Sequence, residues 1–384
     1  MAEKPPQDEV PGVVFINGVN RNASTAELSA RIKSVFLKSS ENLSWLSPGD
    51  TVLLKPALNS PDPYPATTHP ETVHAIAELI EDRGAKAIIG DQSGVEFVLH
   101  NKGGVIKGSS SRLYEASGMA RGPEQNFLGF EELGWDEGFH KYQSAKTASW
   151  PEGFYLTEWV KKADHIVNLP RLSTHAQAGV TLGFKNMVGL LRDDSRFHFH
   201  TNGPLYFFMK PIARKAKLNI RDDNLGSFFE KITEISLALQ HKLRVTLFTV
   251  TKAQVTLGPN RYLVRIGGRG IGSAHEVTPD PGLIFASSDA LAAEVFALAF
   301  LTVLYLQRPP QRVELLYRLL QWLNSHTRKL GEQSVWENPF IRHGLALGLG
   351  SRSVKAVFDE TPISLQTQLD KLIKLKKPSP DKNR

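Results

Sequence analysis

The chain has 384 residues, of which 41% are hydrophobic and 22% charged, the balance of a folded protein with room for a large core. It contains no cysteine, so it forms no disulfide, no thiol nucleophile and no iron–sulfur cluster ligated by this chain. The net charge of +7 lies partly in a basic tail over 371–384 and forms no aromatic-interleaved basic stripe, which favours a small anionic molecule over nucleic acid as partner. With no apolar run of about 18 residues and no apolar leader at the N-terminus, the expectation is a cytoplasmic protein with no membrane partner.

In chain order, Val13–Asn17 reads as a strand and Ser24–Leu37 as a helix capped by Ser24 or Thr25. A β-α-β unit follows: strand Thr51–Leu54, helix Pro70–Arg83 with proline in its first turn and Gly84 at its end, and strand Ala85–Gly90. The region from Gly94 to Trp159 shows no regular period. Ile166–Leu169 is a strand closed by Pro170, and Gly179–Leu191 reads as a buried helix. A helix over Ile232–Gln240 precedes strands at Val245–Val250, Tyr262–Ile266 and Gly282–Ala286, the second of them expected to run antiparallel. Ser288 or Asp289 caps the long apolar helix Ala290–Leu304, and further helices are expected at Val313–Leu323 and Pro339–Leu347. Alternating apolar strands and helices predict an α/β fold with a mostly parallel sheet and flanking helices, in one or two lobes. The core is expected over 11–304, with two lobes, if present, meeting near 160–200, followed by a helical extension over 305–370 and a disordered tail over 371–384.

In such sheets ligands bind where strands end, and this selects four loops. After the first strand of the β-α-β unit come Lys55, then Thr68 and His69 ahead of a helix start, a set suited to a carboxylate or phosphate. After the next strand, Asp91 sits between Gly90 and Gln92, as an Asx turn or as a ligand for a metal, an amine or a hydroxyl. The third loop carries His175, a candidate acid/base or metal ligand, with Lys185, an anion holder or a lysine of lowered pKa, and Asn186 on an otherwise apolar segment. Arg192 is a further anion partner, and the alternation His198-Phe199-His200 would turn both imidazoles to one face of a strand, where they could chelate a metal. The fourth loop, Ser287 to Asp289, reads as a helix cap.

As a set, Lys55-Pro56, Thr68-His69-Pro70-Glu71, Gly90-Asp91, Asn168-Leu169-Pro170 with Thr174-His175, Gly179-Val180-Thr181 with Lys185-Asn186 and Gly189, Gly258-Pro259 and Ser287 to Asp289 resemble the family catalogued as domain of unknown function 362. The resemblance runs from about Val13 to Leu304. Members are often fused to a ferredoxin-like iron–sulfur module, which this chain lacks, so a redox role would need a separate redox partner. The family usually has asparagine where Ala57 stands, lysine where Ser173 stands and aspartate near Thr249, so this chain has lost polar groups. Two functions stay open: an acid/base or redox enzyme in which His175, Lys185 and His69 are catalytic and Lys55, Thr68, Asp91, Asn186 and Arg192 bind the ligand, or a non-catalytic ligand- or metal-binding or scaffold protein. The residues name no substrate and no organic cofactor, and leave the oligomeric state open.

Overall fold

The structure is a computed structural model and describes residues 10–121, 127–200, 206–218, 228–266, 269–308 and 330–374. Its frame is an eight-stranded sheet, ordered from one edge as Val354–Asp359, Gly12–Val19, Gly282–Ser287, Leu243–Val250, His165–Leu169, Thr51–Pro56, Lys86–Asp91 and Phe127–Gly129. All neighbours pair in parallel except around Gly282–Ser287, which runs antiparallel to both of its partners. The antiparallel direction expected of Tyr262–Ile266 is found too, but in a separate hairpin with Arg269–Ser273.

Because side chains alternate across a strand, neighbouring residues feed opposite cores. Val52 and Leu54 face the helices Thr25–Ser39 and Pro70–Glu81, while Leu53 faces the other layer with Phe248, Phe285 and the helix Ala290–Gln307. That last helix is long and apolar enough to cross a membrane, yet 83% of it is buried within the protein, so here it is the core helix of one layer. Its start is fixed by Asp289 Oδ1, which accepts the Ala292 amide at 2.8 Å, and Ser24 caps Thr25–Ser39 by accepting from the Glu27 amide at 3.2 Å.

Three expectations need correction. Gly179–Leu191 is not one helix: Gly179–Thr181 is a short strand paired with Ser173–His175, followed by helical turns at Gly183–Asn186 and Met187–Leu190. The segment with His198 and His200 is not a strand but the end of the helix Asp193–His200, so the two rings, about 200° apart at helical spacing, do not share a face. Part of the expected helical extension is a strand, Val354–Asp359, which pairs in parallel with Gly12–Val19 and closes that edge of the sheet. Residues 371–374 end the helix Ile363–Lys374, with Ile373 in the core, whereas the expected helix Val313–Leu323 and residues 375–384 lie outside the described residues. The irregular stretch before Trp159 holds two short hairpins, Leu99–Asn101 with Gly104–Lys107 and Phe139–Tyr142 with Phe154–Thr157.

The chain crosses from Gly12–Val19 to the middle strand Thr51–Pro56, proceeds outward to Phe127–Gly129, then returns to His165–Leu169 on the opposite side of Thr51–Pro56. The direction of winding therefore reverses between Thr51–Pro56 and His165–Leu169, the position where open α/β sheets leave a crevice at their carboxyl ends.

At the sheet edge, a side chain on Gly18 would overlap the backbone carbonyl of Glu360. Gly18→Ala is expected to cost roughly 2 kcal/mol and to detach the last strand. Hydrogen exchange should then show Val354–Asp359 losing protection while Thr51–Pro56 keeps it.

Candidate functional site

At the carboxyl ends of Thr51–Pro56 and Lys86–Asp91, two charged groups are sealed against each other. Lys55 Nζ lies 2.7 Å from Asp91 Oδ1 and donates to the Pro56 carbonyl at 2.7 Å, and its side chain has no exposure. Asp91 also accepts the Leu58 amide at 2.8 Å through Oδ2 and the Gln92 amide at 2.8 Å through Oδ1. Burial pushes the Asp91 carboxyl up and the Lys55 amine down, and each charge opposes the shift of the other. Asn186 ties this pair across the crevice. Its Nδ2 donates to the Lys55 carbonyl at 3.0 Å and to Asn168 Oδ1 at 2.8 Å, and its Oδ1 stands 3.4 Å from Lys55 Nζ. Gly189 has to be glycine, because a Cβ there would overlap Asp91 Oδ1 and press on Lys55 Cε.

Above this platform is a cleft of about 240 Å3. One wall comes from a small sheet in which Ser173–His175 pairs with Gly179–Thr181 and, through Ser173, with Ala253–Gln254. His175 is 5% exposed, and its Nδ1 accepts the amides of Gln177 at 3.0 Å and Ala178 at 3.1 Å. A neutral imidazole accepting at Nδ1 carries its hydrogen on Nε2, so His175 offers the cleft a donor. Burial, then the charges of Lys185, His200 and Arg171, holds its pKa well below the usual histidine value. His200 has the opposite polarity: its Nδ1 is 3.1 Å from Gln177 Oε1, which only accepts, so Nε2 is the lone-pair nitrogen. Burial, followed by Lys185 and Arg196, also pushes His200 well down.

Lys185 and two arginines set the sign of the cleft. Lys185 lines it from the turn Gly183–Asn186, with Nζ 5.5 Å from the centre of the Phe199 ring and no acid or hydrogen-bond acceptor among the described residues. Burial, then Arg196, Arg171 and Lys55, pushes the Lys185 amine down to about 7. Arg171 donates to the carbonyls of Pro65 at 3.1 Å and Pro259 at 2.5 Å, and burial lowers it to about 10. Arg196 is held by Asp193 at 3.1 Å and by the Ser93 carbonyl at 2.5 Å. Against these three cations the cleft has, among the described residues, Asp91, already paired, and Glu96, which accepts from the Asn260 amide group. Arg171 and Arg196 were not singled out by sequence reading. Arg171 follows the strand-ending Pro170 directly, and that placement was the available signal.

Of the residues expected at the site, Asp91, His175, Lys185, Asn186 and His200 line this one cleft, and Lys55 is buried against Asp91. The others lie elsewhere. Thr68 Oγ1 donates to the Leu169 carbonyl at 2.5 Å and accepts the Ala57 amide at 2.7 Å, so its hydroxyl is used in holding the loop. His69 caps the helix Pro70–Glu81 through Nδ1, which accepts the Glu71 amide at 3.1 Å, and burial, with Lys252 and Arg121, lowers it to about 4. Arg192 grips Asp194 at 2.8 and 3.1 Å and stacks on Tyr155, its guanidinium carbon 3.5 Å from the ring centre. His198 packs edge-on against Trp150, away from His175 and His200. Among the described residues no three His, Asp or Glu side chains stand together as a metal-holding group. Glu294, one turn into the helix capped by Asp289, accepts the Phe184 amide at 3.1 Å, and burial raises it to about 8, which suits a structural role under the turn that carries Lys185.

Removing one partner of the sealed pair leaves the other charge buried alone. Asp91→Asn is expected to destabilise the protein by roughly 3 kcal/mol or more, and Lys55→Met with Asp91→Leu together by less than Asp91→Asn alone. Chemical denaturation of the two variants measures this.

Comparison with known proteins adds one relative and one family. The thylakoid-associated protein sll1697 of Synechocystis sp. is 30% identical over 164 residues, which is 41% of this chain and 44% of that protein. The chain thus matches less than half of that relative's length. No solved structure matches the chain. A family model, Domain of unknown function (DUF362), matches residues 52–299, a span that contains every cleft residue described above. The chain belongs to this family of proteins with a domain of unknown function.

Proposed function

We propose that the cleft binds a small molecule carrying a carboxylate or phosphate, and that Lys185 and His175 are the groups that meet it. The observation that carries this reading is Lys185, an enclosed amine beside two arginines with no counter-charge among the described residues. A cation placed so is costly in the ligand-free protein and is relieved by an anion. His175 supplies a neutral donor from Nε2 for an oxygen of that ligand. Turnover by acid/base chemistry is the enzyme form of this reading, and retention without turnover is the other. The position at the winding reversal of the sheet supports both equally. Cytoplasmic placement belongs to the same proposal, supported by the burial of Ala290–Gln307 within the core.

The pH dependence has a fixed sign. An unfolded lysine binds its proton up to about pH 10.4, whereas folded Lys185 gives it up near 7. The unfolded state therefore binds more protons between these values, and the ligand-free protein should gain stability as pH rises from about 7 towards 10, with the full cost present below 7. Lys185→Met should remove that slope and raise stability at pH 6 by roughly 1–3 kcal/mol.

Sulfate is a suitable probe because its charge is constant over this range. Calorimetric titration should show sulfate binding that weakens by up to about tenfold per pH unit above 7, and at least about tenfold weaker binding to Lys185→Met. Binding that is unchanged by pH and by the substitution would overturn the proposal.

A further inference from the structure

We propose that Lys185 is a carbonyl-binding amine, which joins a small 2-oxo carboxylic acid through an imine while the arginine side of the cleft holds the carboxylate. This rests on the anion-binding reading and names the ligand class that would use more than a positive charge.

The argument is geometric. An anion site alone is well served by arginine, which stays charged and grips with a fork of donors. This cleft has two arginines already, and its third cation is a lysine that accepts no hydrogen bond and donates none among the described residues. The groups around that amine are arranged as imine formation needs them. Phe199 covers it on one side at 5.5 Å, and Val188, Leu257 and Met209 line the same cleft, which gives the half-buried amine an apolar surround. Arg171 and Arg196 line the same cleft as Lys185, so a carboxylate held on the arginine side shares that space with the amine. A lysine desolvated beside other cations is the known arrangement for amines that work near neutral pH.

The two imidazoles divide the proton work. In its neutral form the amine adds to the 2-oxo carbon, a C–N bond forms, and the carbonyl oxygen gathers negative charge against His175 Nε2–H. His200, with its lone pair on Nε2, takes the proton released by nitrogen and returns it to that oxygen, giving the carbinolamine. The C–O bond then breaks, the second nitrogen hydrogen follows the oxygen, and water leaves. Amine and carbonyl have become imine and water, with no oxidant or reductant consumed. His175 keeps its hydrogen throughout, because giving up Nε2–H would leave an imidazolate and replacing that hydrogen at Nδ1 would break two backbone hydrogen bonds.

The test uses pyruvate as the carbonyl probe with borohydride to reduce any imine, followed by intact-mass and peptide analysis of the full chain. Lys185→Arg, which keeps the charge and removes the nucleophile, is the matched variant. The expected result is one reduced adduct per chain, at Lys185, forming on the order of a hundredfold faster at pH 7.5 than at exposed lysines because the free amine is abundant there. It should speed up from pH 6 to 8, the opposite of the trend for sulfate, and be absent in Lys185→Arg. Calorimetry with sulfate on the same two proteins separates the claims. Sulfate binding without a selective adduct overturns the imine and leaves the anion site standing, whereas neither adduct nor sulfate binding overturns both.

Discussion

The site depends on a single buried contact, the ion pair of Lys55 and Asp91 at 2.7 Å. Lys55 and Asp91 end neighbouring parallel strands, and the pair sits beside the point where the winding of the sheet reverses. Taking two charges out of water costs several kcal/mol each, and the attraction between them offsets this only if the remaining donors and acceptors are met. Here they are met from three directions: the Pro56 carbonyl, the Leu58 and Gln92 amides, and the Asn186 side chain. Each of these bonds also positions a piece of the cleft. Leu58 and Gln92 begin the two loops that line it, and Asn186 fixes the turn that carries Lys185. Gly189 is the steric condition for the whole arrangement, since it lets the next turn of backbone lie directly over the pair.

What the cleft then holds is charge without a partner among the described residues. The pair neutralises itself, Arg196 has Asp193, and Arg171 is spread over carbonyl dipoles, which leaves Lys185 as the group whose environment changes most when a ligand arrives. The two histidines differ in tautomer because of Gln177. Its backbone amide fixes the acceptor side of His175, and its side-chain oxygen fixes the donor side of His200. One residue thus gives the cleft a donor and an acceptor from two imidazoles that are both held neutral.

Much of this was legible in the sequence, for reasons that differ by residue. The strand ends at Lys55, Asp91 and Leu169 follow from apolar runs broken by proline or glycine, and the rule that ligands sit at such ends selected Asp91, His175, Lys185 and Asn186, which line one cleft, and Lys55, which pairs with Asp91. Thr68 and His69 fit the same rule but serve the loop and the helix end, because capping needs are met first wherever a helix starts. The alternation of His198 and His200 is equally compatible with a strand and with a short helix, and Asp193 and Asp194 at its start were the overlooked helix signal. The strand Val354–Asp359 was missed because V-K-A-V-F-D does not alternate in polarity: as an edge strand it buries only one face and leaves Val357 on the exposed one. The three positions where the family resemblance implied other polar groups divide likewise: Ala57 lines the cleft, while Ser173 and Thr249 bond to the Thr174 carbonyl and to Thr72.

The central claim is that Lys185 is an enclosed, uncompensated amine, and nuclear magnetic resonance of the protein carrying lysine labelled with carbon-13 at Cε tests it most directly. The account predicts one lysine signal, absent in Lys185→Arg, that titrates near pH 7 in the free protein and moves up by at least about one unit when sulfate is added. A Lys185 signal that titrates near 10 with the surface lysines, and is unmoved by sulfate, would contradict it.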